Sequence, residues 1–122
     1  MYHIEIEPSF IKYVRRMADD YFIKRLPIFI ISLKSGVPSE FVDLYLREYS
    51  YRVYNLVNEN LKDKTDLDLL FDVVGYFNGL PSELVEECYY YHLENMEREE
   101  KRNRKIIVRM VKFFQKLKSS RQ

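Results

Sequence analysis

A chain of 122 residues that is 47% hydrophobic and 32% charged, with a net charge of +1, has the size of one globular domain and is too apolar to stay disordered. Its single cysteine, Cys88, excludes an internal disulfide, and its three separated glycines exclude a glycine-rich phosphate loop. No apolar run approaches the roughly 20 residues that span a bilayer, and the N-terminal MYHIEIEP lacks the basic-then-apolar order of a secretory leader, so a cytoplasmic protein is expected.

Tyr2 to Glu7 alternate apolar and polar side chains, so residues 1–7 read as a short edge strand or an extended arm. Pro8 suits the first position of a helix, where its missing N–H is harmless. Apolar residues at 10, 14, 17 and 21, and at 11, 18 and 22, then mark one helical face, and that helix is expected to stop before Pro27. Pro27 opens a second, short helix, PIFIISLKS, apolar on nearly every side and therefore expected to be buried. The third helix is expected from Pro38 to about Asn60, with an apolar and aromatic face from Phe41 to Val57. After the polar KDKTD, Thr65 or Asp66 is the expected cap of a fourth helix running from Leu67 to Phe77, again apolar on most sides and likewise expected to be buried. The last helix starts at Pro81, meets no further Gly or Pro, and is expected either to run about 35 residues or to bend near Asn103.

The expectation is an all-α fold: a compact single-domain bundle of about five helices (1–122) with two Gly-x-Pro corners and a long C-terminal helix. The corners read GVPSEFVD at 36–43 and GLPSELVE at 79–86, which sets a tandem period of 43 residues. Each Gly supplies the left-handed residue that ends a helix, and each Pro pre-sets the next helix. Glu40 and Glu83 fall where a carboxylate accepts from free N–H groups and faces the positive helix end. The same acids argue against a DNA-reading helix-turn-helix. Glu40, Asp43, Glu83, Glu86 and Glu87 would stand among phosphates in the first turns of a recognition helix.

The small net charge conceals a polarity. Residues 101–122 hold nine basic side chains and no acidic one, while 83–100 hold seven acids against Arg98. Ile107, Met110, Val111, Phe114 and Leu117 mark an apolar face of this basic end. Lys101, Lys105, Arg109, Lys112 and Lys116 mark another, with Arg102 and Lys118 nearby. Such a stripe suits solvent, phosphates or an acidic protein surface, including another copy's acidic segment; the flanking Phe113 and Phe114 also suit a membrane interface.

Tyr89, Tyr90 and Tyr91 cover three sides of one helix, so at least one ring is expected at the surface as a protein-contact anchor. Arg47 and Arg52, interleaved with Tyr45, Tyr49, Tyr51 and Tyr54, form the better candidate for stacking single-stranded bases. Cys88 and His92 lie four apart, but the only other histidine is His3 and there is no second cysteine. Neither a metal site nor a cysteine nucleophile is therefore expected, and no cofactor.

The Tyr-, Ile- and Lys-rich composition with a single alanine resembles that of small proteins of heat-loving archaea and their viruses. It implies nothing about mechanism. The expected function is non-catalytic: an interaction or adaptor protein docking on a protein or nucleoprotein partner, such as an inhibitor or accessory subunit of a nucleic-acid machine. The alternative is direct nucleic-acid binding by the basic end.

Overall fold

The computed structural model describes residues 5–61 and 66–120, and for 119 and 120 the backbone alone. These residues form five α-helices: α1 (Ile11–Ala18), α2 (Ile28–Ser35), α3 (Ser39–Glu59), α4 (Leu67–Asn78) and α5 (Ser82–Ser120). One π-helical turn, Asp19–Ile23, follows α1, and there is no strand among the described residues. The fold is all-α, as the periodicity predicts. Of the expected extended arm, residues 1–4 lie outside the described residues, and Glu5, Ile6 and Glu7 have no regular structure.

The first helix differs from expectation at both ends. Pro8 lies in a turn closed by Phe10 N–H donating to the Glu7 carbonyl at 2.8 Å, and the helix begins only at Ile11. At its far end the α-helical ladder stops at Ala18 and widens. Lys24 N–H donates to Asp19 O at 3.1 Å, and Leu26 N–H reaches Asp20 O at 2.9 Å. The extra residue in this turn brings both Asp20 and Phe22 to buried positions. Arg25 then takes a left-handed backbone, φ 60°, which reverses the chain ahead of Pro27.

The two corners are built alike. Gly36 and Gly79 end α2 and α4 with φ of 73° and 65°. Just before each, a side chain reaches back one turn: Ser35 Oγ donates to Ile31 O at 2.7 Å, and Asn78 Nδ2 to Val74 O at 2.8 Å. After each, the proline carbonyl starts the next helix. Pro38 O accepts from Phe41 and Val42, and Pro81 O from Leu84 and Val85. Val42 and Val85, equivalent in the two copies, are both fully buried. The prolines sit one residue earlier than expected, as caps, with α3 and α5 beginning at Ser39 and Ser82. Glu40 and Glu83 occupy the first turns but remain exposed. No side chain caps α3, so the contribution of Glu40 is to the helix dipole rather than to a hydrogen bond. At α4, Asp66 is the cap, accepting from Asp68 N at 3.0 Å.

Residues up to His92 form one compact unit and those from Leu93 another, with α5 contributing to both. Within the first, α3 packs against α1, α2 and α4. Its buried Val42, Leu46, Tyr49, Val53 and Val57 meet a core that includes Val14, Met17, Ile31, Phe71, Leu84 and Val85. Each such side chain contributes roughly 1.5–3 kcal/mol on full burial.

The expectation that the two short helices are buried is corrected. In α2 only Ile31 is buried, while Phe29 and Leu33 are exposed. In α4, Leu70, Phe71, Val74 and Gly75 face the core, but Leu69, Val73, Tyr76 and Phe77 do not. Apolar residues all round a helix predict burial only when the bundle has enough layers to cover both sides. Here one side of each stays open.

Candidate interaction surface

The second unit is the distal part of α5. With about 100° of turn per residue, Ile106, Ile107, Met110, Phe113, Phe114 and Leu117 fall within about 60° of one line along it. Arg102, Arg109 and Lys116 border that face on one edge, with Lys105 and Lys112 behind them. Arg104 and Lys118 lie beyond the other edge, and Lys101 stands opposite. Every residue from 101 to 118 is exposed. Phe113 is 60% accessible and Phe114 59%. Among the described residues the one ion pair in this stretch joins Arg104 to Glu100 at 2.6 Å, one helical turn apart. The sequence thus places six apolar side chains on one face of a helix segment that also carries eight cations. Apart from the Arg104–Glu100 pair, no ion pair among the described residues neutralises these cations, and the apolar side chains remain exposed.

The tyrosine run divides as three consecutive helical residues must. Tyr89 is buried, stacked on Tyr54 at 5.2 Å and tilted against Phe71 at 5.4 Å, and its hydroxyl pKa is raised by burial and by the neighbouring Tyr54 and Tyr90. Tyr91 packs edge-on to Phe22 at 5.2 Å. Tyr90 is 44% accessible and leaves one edge in water. Around α3, Tyr45 meets Phe10 at 5.1 Å, while Tyr51 and Tyr54 meet His92 at 5.2 and 4.6 Å. These rings are engaged in packing. The two arginines between them pair along their own helix, Arg47 with Asp43 at 3.1 Å and Arg52 with Glu48 at 3.6 Å. Arg47 and Arg52 belong to the first unit and the basic end of α5 to the second.

Cys88 and His92 both point into the core. Burial pushes the Cys88 thiol up to about 12. The Ser50 hydroxyl offsets this in part, although its geometry falls short of a hydrogen bond and it has no other partner. The thiol is thus protonated near neutral pH. Among the described residues no three His, Cys, Asp or Glu side chains converge as metal ligands do.

Two features escape sequence reasoning. The first is an open groove of about 500 Å³ over the π-helical turn, lined by Phe10, Tyr13, Arg16, Met17 and Ile31. On its rim Asp20 holds both Lys24 at 3.3 Å and Lys34 at 3.2 Å. The second is the outer face of α4. Leu69, Val73, Tyr76 and Phe77 recur at helical spacing, with Tyr76 at 83% and Phe77 at 78% accessibility. Asp68 and Asp72 lie along one edge of this face, both exposed. The spacing was legible; the exposure was not.

No helix among the described residues is long and apolar enough to cross a membrane. No protein family, curated protein or solved structure matches the chain.

Proposed function

We propose that this protein is a non-catalytic interaction module that docks on a protein or nucleoprotein partner through the distal part of α5. One observation carries the reading: from 101 to 118 a continuous apolar face and a cationic edge stand side by side, all exposed. A contiguous exposed apolar patch rimmed by charge is the usual mark of a binding surface. A helix that lays such a face into a groove is a common recognition mode, anchored at i, i+3, i+4 and i+7; here Met110, Phe113, Phe114 and Leu117 hold those places. Phosphate tracking would engage the cations and leave the six apolar side chains in water. An apolar groove with an acidic rim engages both.

The test is a photoreactive residue in place of Phe114, introduced in the cells the protein comes from. The reading expects a discrete protein adduct that disappears when Met110 is changed to Asp. Duplex or single-stranded nucleic acid as the dominant adduct, with binding falling steeply as salt rises, would establish the alternative instead.

A further inference from the structure

We infer that the surface receiving the distal part of α5 is the outer face of α4 on a second copy of this chain, the two helices running antiparallel. The inference rests on the reading that this segment of α5 is the docking element, and it names the partner.

The charge balance is the first argument. From Asp66 to Asn78 the cap and body of α4 have three acidic side chains and neither Lys nor Arg, whereas 101–122 has nine basic side chains and no acidic one. On α4, the Asp66 carboxylate is engaged by its cap. Asp68 and Asp72 have no cationic partner among the described residues. On α5, Arg109 and Lys116 likewise have none. The outer face of α4 and the distal part of α5 therefore each carry the charges the other lacks.

The second argument is shape. Leu69, Val73, Tyr76 and Phe77 make a stripe a little over two turns long on α4, and Ile106 to Leu117 make one of about three turns on α5. Both are apolar, both are exposed, and both carry a pair of neighbouring aromatic rings: Tyr76 with Phe77 at 5.5 Å, and Phe113 with Phe114 at 6.0 Å.

Direction follows from handedness. Seen from the N-terminus of each helix, Asp68 and Asp72 border the α4 stripe on the same hand on which Arg109 and Lys116 border the α5 stripe. When two helices face each other, edges of the same hand meet only if the helices are antiparallel. A parallel pair would turn Asp68 and Asp72 toward Lys118 and Arg104 instead. The antiparallel arrangement also opposes the helix dipoles favourably.

The test uses two full-length variants. The receptor variant carries Asp72→Lys and Tyr76→Lys; the donor variant carries Arg109→Glu and Met110→Glu. All four positions are exposed, so neither variant disturbs the core. In sedimentation equilibrium, the unaltered chain is expected to exceed the 14.9 kDa of one chain as concentration rises. Each variant alone is expected to remain at one chain. Mixed in equal amounts they are expected to form a complex of two, because each supplies the face the other has lost, and the recovery shows that both are folded. A mixture that stays at the mass of one chain, or unaltered protein that stays so at the highest concentration it tolerates, overturns the inference. A Phe114 adduct to a different protein would then leave the proposed function standing. Absence of any protein adduct would remove both.

Discussion

Leu80 donates its backbone N–H to the Gly75 carbonyl at 2.8 Å, and its own carbonyl oxygen lies 2.6 Å from where a β-carbon on Gly75 would be. Gly75 sits inside α4, so alanine there would improve helix propensity by about 1 kcal/mol. The added methyl meets backbone at the second corner, which cannot swing aside as a side chain would. The clash wins. Gly75→Ala is expected to lower unfolding free energy by about 1–3 kcal/mol, measured by urea denaturation. An unchanged or raised midpoint would show that the corner yields.

Arg25 offers a contrasting case. It takes φ 60° without being glycine, and its guanidinium meets both oxygens of Glu87, at 2.7 and 3.4 Å. Left-handed backbone costs a residue with a β-carbon about 1–2 kcal/mol. This exposed ion pair returns about 0–1 kcal/mol. Arg25→Gly relieves the first while losing the second; Arg25→Ala loses the pair and keeps the strain. Glycine is therefore expected to be the better tolerated of the two, by roughly 0.5–1 kcal/mol. Equal thermal midpoints for the two variants would count against strain at this position.

Alkaline pH tests the core. Burial raises the Cys88 thiol from 9.0 and the Tyr49 hydroxyl from 10.0, each to about 12. Both groups are neutral when protonated, so below pH 9 folded and unfolded chains hold these protons equally. Above it the unfolded chain releases them while the folded chain does not, and stability falls as pH climbs toward 12. Cys88→Ala is expected to flatten the early part of that fall and Tyr49→Phe the later part. Denaturation midpoints at a series of pH values read both, and an undiminished slope in either variant would contradict the assignment.

Much of the bundle was legible because glycine and proline punctuate it. Gly36, Pro38, Gly79 and Pro81 place both corners to within a residue, and the spacing of Val42, Leu46, Tyr49 and Val53 gives the buried face of α3. The π-helical turn was not legible. Its cause is a tertiary demand, the burial of Phe22 and Asp20, rather than a residue with a backbone preference. Nor was the role of Gly75, whose constraint comes from a carbonyl five residues on. The periodicity of Leu69, Val73, Tyr76 and Phe77 announced an apolar face, but periodicity does not say whether that face meets the chain's own core. The basic end of α5 was legible from its charge, since nine cations without an acid need no structure to be noticed.

The proposed division of labour, in which apolar contact anchors the docking of α5 and its cations guide it, is read by comparing two variants in the Phe114 photocrosslinking experiment. Met110→Asp places a charge in the middle of the apolar face; Lys105→Glu with Lys112→Glu alters only the far side. The first is expected to abolish the protein adduct and the second to reduce it several-fold, less so as salt rises. The opposite ranking, with the lysine variant losing all binding and Met110→Asp retaining it, would contradict the account and mark the helix as a phosphate-binding element.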